Sequence, residues 1–214
     1  MEGILLVVAL LTPLIILSIF FGRAIGRKPK EWTGWFVKSR DFRFIIRKLE
    51  FKPDDLFLEI GCGPGFLLKQ ALMEVQWAVG IDHSPGMANF AENRNREAVS
   101  KGRLMVRLID ADSPPWPWQD ETFTCAASNN VFMYLEHPDR VLGEIHRLLR
   151  PSGRLVIVTN SECLTNRLLS KISGLRFRLY KDVDMESLLR TTGFVQVEVK
   201  SAGGHQKCYA RKPC

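Results

Sequence analysis

Cysteine is scarce in this 214-residue chain, and its spacing argues against two kinds of site. The five cysteines are an odd number, and no two of them are separated by two residues. A disulfide framework needs paired cysteines, and structural zinc sites commonly contain Cys-x-x-Cys, so neither is predicted. We expect no metal site, and reduced thiols in a cytosolic compartment fit this composition best.

Charge is absent from residues 4–21, which read ILLVVALLTPLIILSIFF. A helix of this length spans about 27 Å, close to the thickness of the hydrocarbon core of a bilayer. A secretory signal peptide normally has a basic start and a small-x-small cleavage site, whereas this chain starts Met1-Glu2-Gly3. We therefore expect residues 1–22 to be a single transmembrane anchor. A cleaved signal peptide and a monotopic insertion are the alternatives.

Acidic residues are few in the stretch that follows. Residues 23–52 contain ten Lys or Arg against three Asp or Glu, a net charge of +7, whereas the rest of the chain has twenty of each sign. Residues 23–50 are thus predicted to be a basic amphipathic juxtamembrane segment that contacts anionic lipid, with the catalytic domain, residues 51–214, in the cytosol. Nucleic acid is not an expected partner, because no nucleic-acid motif accompanies the charge.

Short apolar runs alternate with helical stretches from residue 55 onward. This alternation is typical of an α/β, doubly wound, mostly parallel sheet. A closing antiparallel hairpin is predicted around Ala202-Gly203-Gly204, which gives seven strands in all. The five preceding strands are predicted at 55–60, 76–82, 103–110, 122–130 and 154–160, and the helices at about 66–75, 84–99, 138–150 and 183–192.

The loop after the first strand, LEIGCGPG at residues 58–65, lacks the dinucleotide-binding pattern G-x-G-x-x-G. The third glycine of that pattern would fall at residue 66, which is Phe66. A carboxylate at Glu59 would also repel a pyrophosphate. It suits a ligand with a positive end, such as S-adenosylmethionine, which carries an ammonium group and a sulfonium and no phosphate.

The loop E-x-G-x-G-x-G resembles motif I of the class I S-adenosylmethionine-dependent methyltransferases, and the resemblance extends over residues 51 to about 200. It implies a Rossmann-like methyltransferase fold, with S-adenosyl-L-methionine as cofactor. In this family an acid at the end of the second strand, here Asp82, binds the ribose hydroxyls, and an acid after the third strand, here Asp110, takes the adenine amino group. The cofactor-binding residues implied in this way are Glu59, Gly61, Cys62, Gly63, Gly65, Asp82, His83, Met87, Asp110, Ala111, Asp112 and Asn129.

Residues 116–158 resemble the subgroup that includes ubiquinone and menaquinone methyltransferases. Three positions depart from the family pattern: Ile109 and Ser152 replace glycines, and Thr124 replaces the usual Asp.

Catalytic residues are not identified by the sequence. Asn129 ends the fourth strand and is a candidate for holding the cofactor or the substrate, with a turn-forming role as the alternative. His137 precedes Pro138 and fits a helix cap better than a base. His205, on the final hairpin, is the remaining weak candidate for a base.

These features predict a membrane-tethered methyltransferase that acts on a small lipophilic acceptor. A lipid amine, a quinol-like phenol and an alkyl thiol all fit. Residues 161–180 are apolar and basic, and they are expected to cover the substrate. The alternatives are a membrane-anchored protein methyltransferase and a non-catalytic interaction module on the same fold.

Overall fold

The structure, a computed structural model, describes residues 33–173 and 177–214, and a compact unit spans Asp41–Cys214. The strands are β1 Leu56–Ile60, β2 Trp77–Asp82, β3 Leu104–Leu108, β4 Phe123–Asn129, β5 Leu149–Asn160, β6 Val195–Ala202 and β7 His205–Arg211. The α-helices are α1 Thr33–Leu49, α2 Phe66–Ala71, α3 Pro85–Arg94, α4 Arg96–Ser100, α5 Pro138–Leu148, α6 Leu164–Ser173 and α7 Asp182–Thr191, with a 3₁₀ turn at Phe132–Tyr134.

The seven strands form one sheet in the order β3-β2-β1-β4-β5-β7-β6. Strands β1 to β5 are parallel, and β7 pairs antiparallel with both β5 and β6. The predicted seven-stranded, mostly parallel sheet with a terminal hairpin is therefore confirmed. Strand order reverses at β1, which lies between β2 and β4, and ligands bind beyond the carboxyl ends of the strands at such a switch point. We call this end of the sheet the carboxyl edge.

Helices cover both faces of the sheet, and the alternation of side chains along each strand decides which face a residue joins. The α1 face buries strand residues Phe57, Ala127 and Val158 together with Phe42, Ile45, Leu67 and Leu68 of α1 and α2, and the partly buried Tyr209 packs against them. The α5 face buries strand residues Leu58, Ala126, Ile157 and Cys208 together with Val141, Ile145, Met185 and Leu189 of α5 and α7. Both faces are apolar, so the parallel strands have almost no polar positions except at their ends.

Two elements differ from the sequence expectation. The helix predicted at 84–99 is divided at Asn95, whose side-chain Nδ2 donates to the carbonyls of Ala91 and Gly65. The fifth strand begins at Leu149 and not at residue 154, and it is irregular between these positions: Ser152 has a positive φ of 63°, and the pairing with β4 shifts register between Phe123 and Cys125.

Helix α1 was not predicted as a regular element. Its residues Phe42, Ile45 and Leu49 are buried in the α1 face. The sequence had placed them in the basic segment 23–50, whereas residues 41–49 pack within the compact unit.

The predicted anchor, residues 1–22, lies outside the described residues, as do residues 23–32 of the basic segment. Among residues 33–173 and 177–214, no helix is both long and apolar enough to cross a membrane.

Candidate cofactor and acceptor site

The glycine loop joins β1 to α2 at the carboxyl edge. Its course is fixed by two backbone hydrogen bonds, from Cys62 N–H to the Ile81 carbonyl (2.9 Å) and from Gly65 N–H to the Cys62 carbonyl (3.0 Å). Gly61, Gly63 and Gly65 all have positive φ, at 68°, 51° and 74°. This conformation is strained for residues with a side chain, which gives one reason for all three glycines.

Two of the three glycines also allow close packing within the protein. A Cβ on Gly61 would lie 2.2 Å from Cγ2 of Val131, and one on Gly65 would lie 2.7 Å from Nδ2 of Asn95 and 2.9 Å from Cα of Ala91. Gly61 therefore lets the loop approach the segment after β4, and Gly65 lets it approach α3. Close packing within the protein therefore accounts for Gly61 and Gly65 without any ligand.

Gly63 is different. A Cβ built on it meets no atom within 4 Å, so the space above its Cα is open. Its N–H donates to Oδ2 of Asp82 (2.8 Å). The loop thus presents its bare backbone to open space at Gly63, where a ligand can approach it.

Asp82 ends β2 and is buried beneath this loop. Its Oδ2 accepts from Gly63 N–H, and its Oδ1 accepts from Ser84 N–H (2.9 Å). A carboxylate has about four lone-pair positions, so each oxygen keeps one for a further donor. Asp82 both shapes the loop and retains the capacity to bind a vicinal diol.

The start of α3 lies directly after Asp82. Ser84 is the N-cap and accepts from Met87 N–H, so the helix begins where the sequence predicted. Met87 is half-buried, whereas the His83 side chain is 80% exposed. Contact of either residue with adenine stays a prediction.

The loop after β3 contains the three predicted adenine-site residues. Asp110 is exposed, and Ala111 packs beside the core of the α5 face. Asp112 has a structural task, because its two oxygens accept the backbone N–H groups of Glu136 and His137, both at 2.9 Å. Asp112 therefore anchors the start of α5, and a cofactor contact for it remains a prediction.

Glu59 and Asn129 both lie on the α1 face near the carboxyl edge and both are buried. They are two residues along the strand from Phe57 and Ala127, which pack on that face. Cys62 follows in the loop, where burial, then Glu59 and then Asp82 raise the pKa of its thiol. The thiol therefore stays protonated near neutral pH and is not poised as a nucleophile.

The weak catalytic candidates differ in their surroundings. His137 is the N-cap of α5, but its side chain makes no capping hydrogen bond. His137 thus occupies the expected cap position, and its backbone N–H, not its side chain, takes part in fixing the helix start through Asp112. His205 begins β7 opposite Asn160 of β5, so it lies at the carboxyl edge.

Sequence reasoning missed two residues at this edge. Asn160 ends β5 on the α1 face, and Asp41 of α1 is a buried carboxylate 3.7 Å from Nδ1 of His205. Asn160 was detectable as a polar end to an apolar strand. Asp41 gave no such signal, because it lies among basic residues far along the chain from His205.

The residues present fit S-adenosylmethionine. The open space at Gly63 would receive the ligand against the loop backbone, and Asp82 would accept the ribose hydroxyls. Glu59, buried at the end of β1, would supply negative charge toward the ammonium and sulfonium groups. These residues supply hydrogen-bond acceptors and negative charge, which suit a cationic cofactor that has no phosphate group.

Comparison with known proteins agrees with this geometry. Residues 58–157 match the family described as "Methyltransferase domain". The chain is 27% identical over 135 residues to the demethylmenaquinone methyltransferase of Symbiobacterium thermophilum, covering 62% of this chain and 51% of that protein. It is 29% identical over 114 residues to the sterol 4-C-methyltransferase strm-1 of Caenorhabditis elegans, covering 53% of this chain and 33% of that protein.

A solved structure has the same fold. The phosphoethanolamine N-methyltransferase 2 of Haemonchus contortus, in complex with S-adenosyl-L-methionine, superposes with a TM-score of 0.71 at 17% identity. The match covers 85% of this chain and 53% of that one. The chain thus spans about a third to a half of the length of these three relatives. The matched segment, the strand order and the glycine loop agree: residues 58–157 are similar to methyltransferase domains, and the site residues fit S-adenosylmethionine.

Proposed function

We propose that the protein is a membrane-tethered methyltransferase that methylates a small lipophilic acceptor at the cytosolic face of a membrane. The acceptor classes are a lipid amine, a quinol-like phenol and an alkyl thiol. When bound, the cofactor supplies a methyl group on a sulfonium leaving group. The chain's own residues hold that donor, align the acceptor with it and exclude water.

The observation that carries this proposal is an apolar surface beside the carboxyl edge. Helix α6 follows β5, and its Asn166 donates to the carbonyls of Ser161 (2.9 Å) and Gly204 (2.7 Å), which fixes the helix to this edge. Leu164 and Leu168, one helical turn apart, are 82% and 56% exposed. Exposed leucines at this position suit contact with lipid.

An exposed aromatic ring lies next to Phe177, whose backbone N–H donates to Ser170 Oγ of α6 (3.5 Å). Tyr134 lies in the 3₁₀ turn that follows β4, and it packs edge-to-face on Phe177 at 5.5 Å. More than half of its side-chain surface stays exposed. Basic residues Arg167 and Lys171 on α6 are exposed as well, and they suit an anionic membrane surface.

Sequence and relatives support the same acceptor class. The uncharged run at residues 4–21 and the basic residues after it fit a cytosol-facing domain on a membrane anchor. Two relatives are named for a menaquinone precursor and for a sterol, both lipophilic.

The direct test is acceptor discovery. Detergent-purified full-length protein is incubated with labelled S-adenosylmethionine and a total membrane lipid extract, and mass analysis identifies any molecule that gains a methyl group. Asp82→Ala removes the carboxylate that is expected to bind the ribose hydroxyls, and it serves as the inactive control. Methylation of added proteins with no lipid product would favour the protein-methyltransferase alternative. Binding of S-adenosylhomocysteine without any product would favour a non-catalytic module.

A second test concerns the apolar surface. We expect the pair Leu164→Ser with Leu168→Ser to weaken binding to anionic vesicles and to slow methylation of long-chain acceptors more than short ones. Met73→Ser is the matched control, because Met73 is 78% exposed but lies at the end of the sheet opposite the carboxyl edge. Equal effects of the pair and the control would reject lipid contact at α6.

Protease protection tests the membrane topology. In sealed vesicles with the cytosolic side inside, the domain should resist added protease until detergent is present. Digestion without detergent would overturn the orientation, and a mature chain beginning after residue 21 would overturn the anchor.

A further inference from the structure

Four polar residues lie at the carboxyl edge on the α1 face of neighbouring strands: Glu59 on β1, Asn129 on β4, Asn160 on β5 and His205 on β7. We call this set the polar row. Strands are spaced by about 4.8 Å, so His205 lies roughly 10 Å across the sheet from Asn129 and on the side away from the glycine loop. The cofactor residues therefore occupy one end of the row, and His205 occupies the other.

Asp41 faces the His205 end of this row from α1. The residue is only 3% exposed, and its Oδ2 makes no hydrogen bond. Two basic groups approach the carboxylate at longer range: His205 Nδ1 lies 3.7 Å from Oδ2, and Lys207 Nζ lies 3.7 Å from Oδ1. Lys207 is itself placed over the Phe44 ring, at 4.9 Å. Burying a carboxylate without saturating its oxygens costs stability, so a purely structural role explains this arrangement poorly.

The His205 ring is buried on one edge and exposed to solvent on the other. Its Nδ1 is buried and has no hydrogen-bond partner, although the side chain as a whole is 32% exposed. The exposed part is therefore the opposite edge of the ring, which carries Nε2. This is the orientation of a histidine whose inner nitrogen faces a carboxylate while its outer nitrogen faces a reacting group. Catalytic hydrogen bonds are often long before the substrate binds, and 3.7 Å fits that state.

We propose that His205 accepts the acceptor's proton and that Asp41 is its positioning residue. This inference rests on the proposed function. The heteroatom of the acceptor forms a bond to the methyl carbon as the bond from that carbon to sulfur breaks, with the electron pair going to sulfur. The proton leaves the same heteroatom for Nε2 of His205, and the imidazolium is stabilised by Asp41. The acceptor therefore has an ionisable phenolic hydroxyl or thiol at the methylated atom.

The first test does not depend on activity. In the free protein, nitrogen NMR of the neutral His205 ring should show a protonated Nδ1 and a bare Nε2, with the signals assigned by their loss in His205→Gln. Asp41→Asn should weaken that tautomer preference. A wild-type ring protonated at Nε2 would overturn the proposal, because such a nitrogen cannot accept a proton.

The second test uses turnover of 1-octanethiol and 4-octylphenol. We expect His205→Gln to lower kcat by about 100-fold or more, the usual contribution of a general base, with a smaller loss in Asp41→Asn. The rate in wild type should fall at low pH, because only a neutral His205 ring can accept the proton, and His205→Gln should lose this dependence. The charged side chains that face His205 are Asp41 from α1 and Lys207 from β7, so Lys207→Gln is the matched control and should keep both the rate and its fall at low pH.

Two further measurements separate the outcomes. S-adenosylhomocysteine affinity and the melting temperature should stay near wild type in His205→Gln, because neither the loop nor the core is altered. Equal losses of rate and stability in all three variants would show that the cluster only fixes α1 to the sheet, and would overturn the proposal. Wild-type turnover of neither probe would reject the acceptor class and the base role with it. Absence of S-adenosylhomocysteine binding would instead reject the proposed function, whatever the His205 tautomer.

Discussion

Two buried aspartates at opposite ends of the sheet have different surroundings. Asp55, just before β1, receives a hydrogen bond on each oxygen from Arg154 (2.5 Å), together with bonds from Thr124 Oγ1 (2.7 Å) and Lys52 N–H (2.7 Å). Among residues 33–173 and 177–214, Asp41, facing the carboxyl edge, has one oxygen without a hydrogen bond, and the basic groups that pair with it lie at 3.7 Å. A carboxylate that only stabilises a fold is saturated, whereas one at the ligand end keeps capacity for a further partner.

The same contrast extends to nearby hydroxyl groups. Thr124, at the Asp55 end, accepts from Leu56 N–H (3.0 Å) and donates to Asp55. Ser128 and Thr159, near the carboxyl edge, are fully buried and have side-chain oxygens without a hydrogen bond. These two hydroxyls therefore keep unused hydrogen-bonding capacity near the end of the sheet where ligands bind.

The largest expected loss of stability follows from removing the Arg154 partner of Asp55. Arg154→Met should leave the Asp55 carboxylate buried without its main partner, at a cost of about 3–5 kcal/mol in the free energy of unfolding. Urea unfolding of the wild-type and Arg154→Met proteins measures this difference in the free energy of unfolding. Arg190→Met is the control, because Arg190 pairs with Glu186 on the surface of α7 and such pairs contribute about 0.3–0.5 kcal/mol. Similar losses in both variants would show that the buried Asp55–Arg154 pair stabilises the fold no more than the exposed Arg190–Glu186 pair does.

The second prediction concerns a carboxylate at the ligand end. Asp82→Ala should weaken S-adenosylhomocysteine binding by roughly 2–4 kcal/mol, because two charge-assisted hydrogen bonds to the ribose are lost. Isothermal titration measures the affinity. Asp120→Ala is the control, because Asp120 is exposed, pairs with Arg147 at 2.6 Å and is not among the residues assigned to the cofactor, so the affinity of this variant should match wild type. An Asp82→Ala affinity within a factor of two of wild type would reject the ribose assignment.

The sequence was sufficient to predict the strands but not the purpose of each polar residue. The five parallel strands were predicted because they are short apolar runs bounded by polar or turn residues, and burial on both faces makes such runs necessary. Helix α1 was missed because its buried Phe42, Ile45 and Leu49 are separated by basic residues, a pattern that also fits a membrane interface. Local pattern does not decide between a core and a lipid surface.

The glycine loop shows the same limit at the site. Its spacing was enough to predict a cofactor loop, but a separate reason for each glycine depends on tertiary neighbours such as Val131 and Asn95. The pairing of Asp41 with His205 joins residues 164 positions apart, and no local signal links them.

The third prediction separates these glycines. Gly65→Ala should lower stability by about 2–3 kcal/mol, since the new Cβ would overlap Ala91 and Asn95 and would also strain the positive φ. Gly63→Ala has only the strain, of about 1–2 kcal/mol, but should lose more cofactor affinity because its methyl group occupies the open space. Melting curves and isothermal titration on both variants measure the two effects. A larger stability loss in Gly63→Ala than in Gly65→Ala would contradict the assignment of Gly65 to packing and of Gly63 to ligand access.

The smallest effect concerns Asp182, a partly exposed carboxylate that is hydrogen-bonded without an ion pair. Its oxygens accept from Ser201 Oγ (2.5 Å), Gln206 Nε2 (2.8 Å) and Ser201 N–H (3.2 Å). The Ser201 hydroxyl is the main cause that lowers the pKa of Asp182, and burial opposes it.

A lowered folded-state pKa means that the ionised carboxylate favours folding. This stabilisation is present above the ordinary pKa of 3.8 and is lost as the pH falls through the folded-state value. Asp182→Asn should therefore be less stable than wild type near neutral pH, and the difference should shrink on acidification. Ser201→Ala, which removes the main cause, should flatten the same pH dependence. Urea unfolding across the acid range measures both, and a difference that grows on acidification would reverse the sign of the argument. Saturation by hydrogen bonds would then fail as the feature that distinguishes a stabilising carboxylate from one reserved for a ligand.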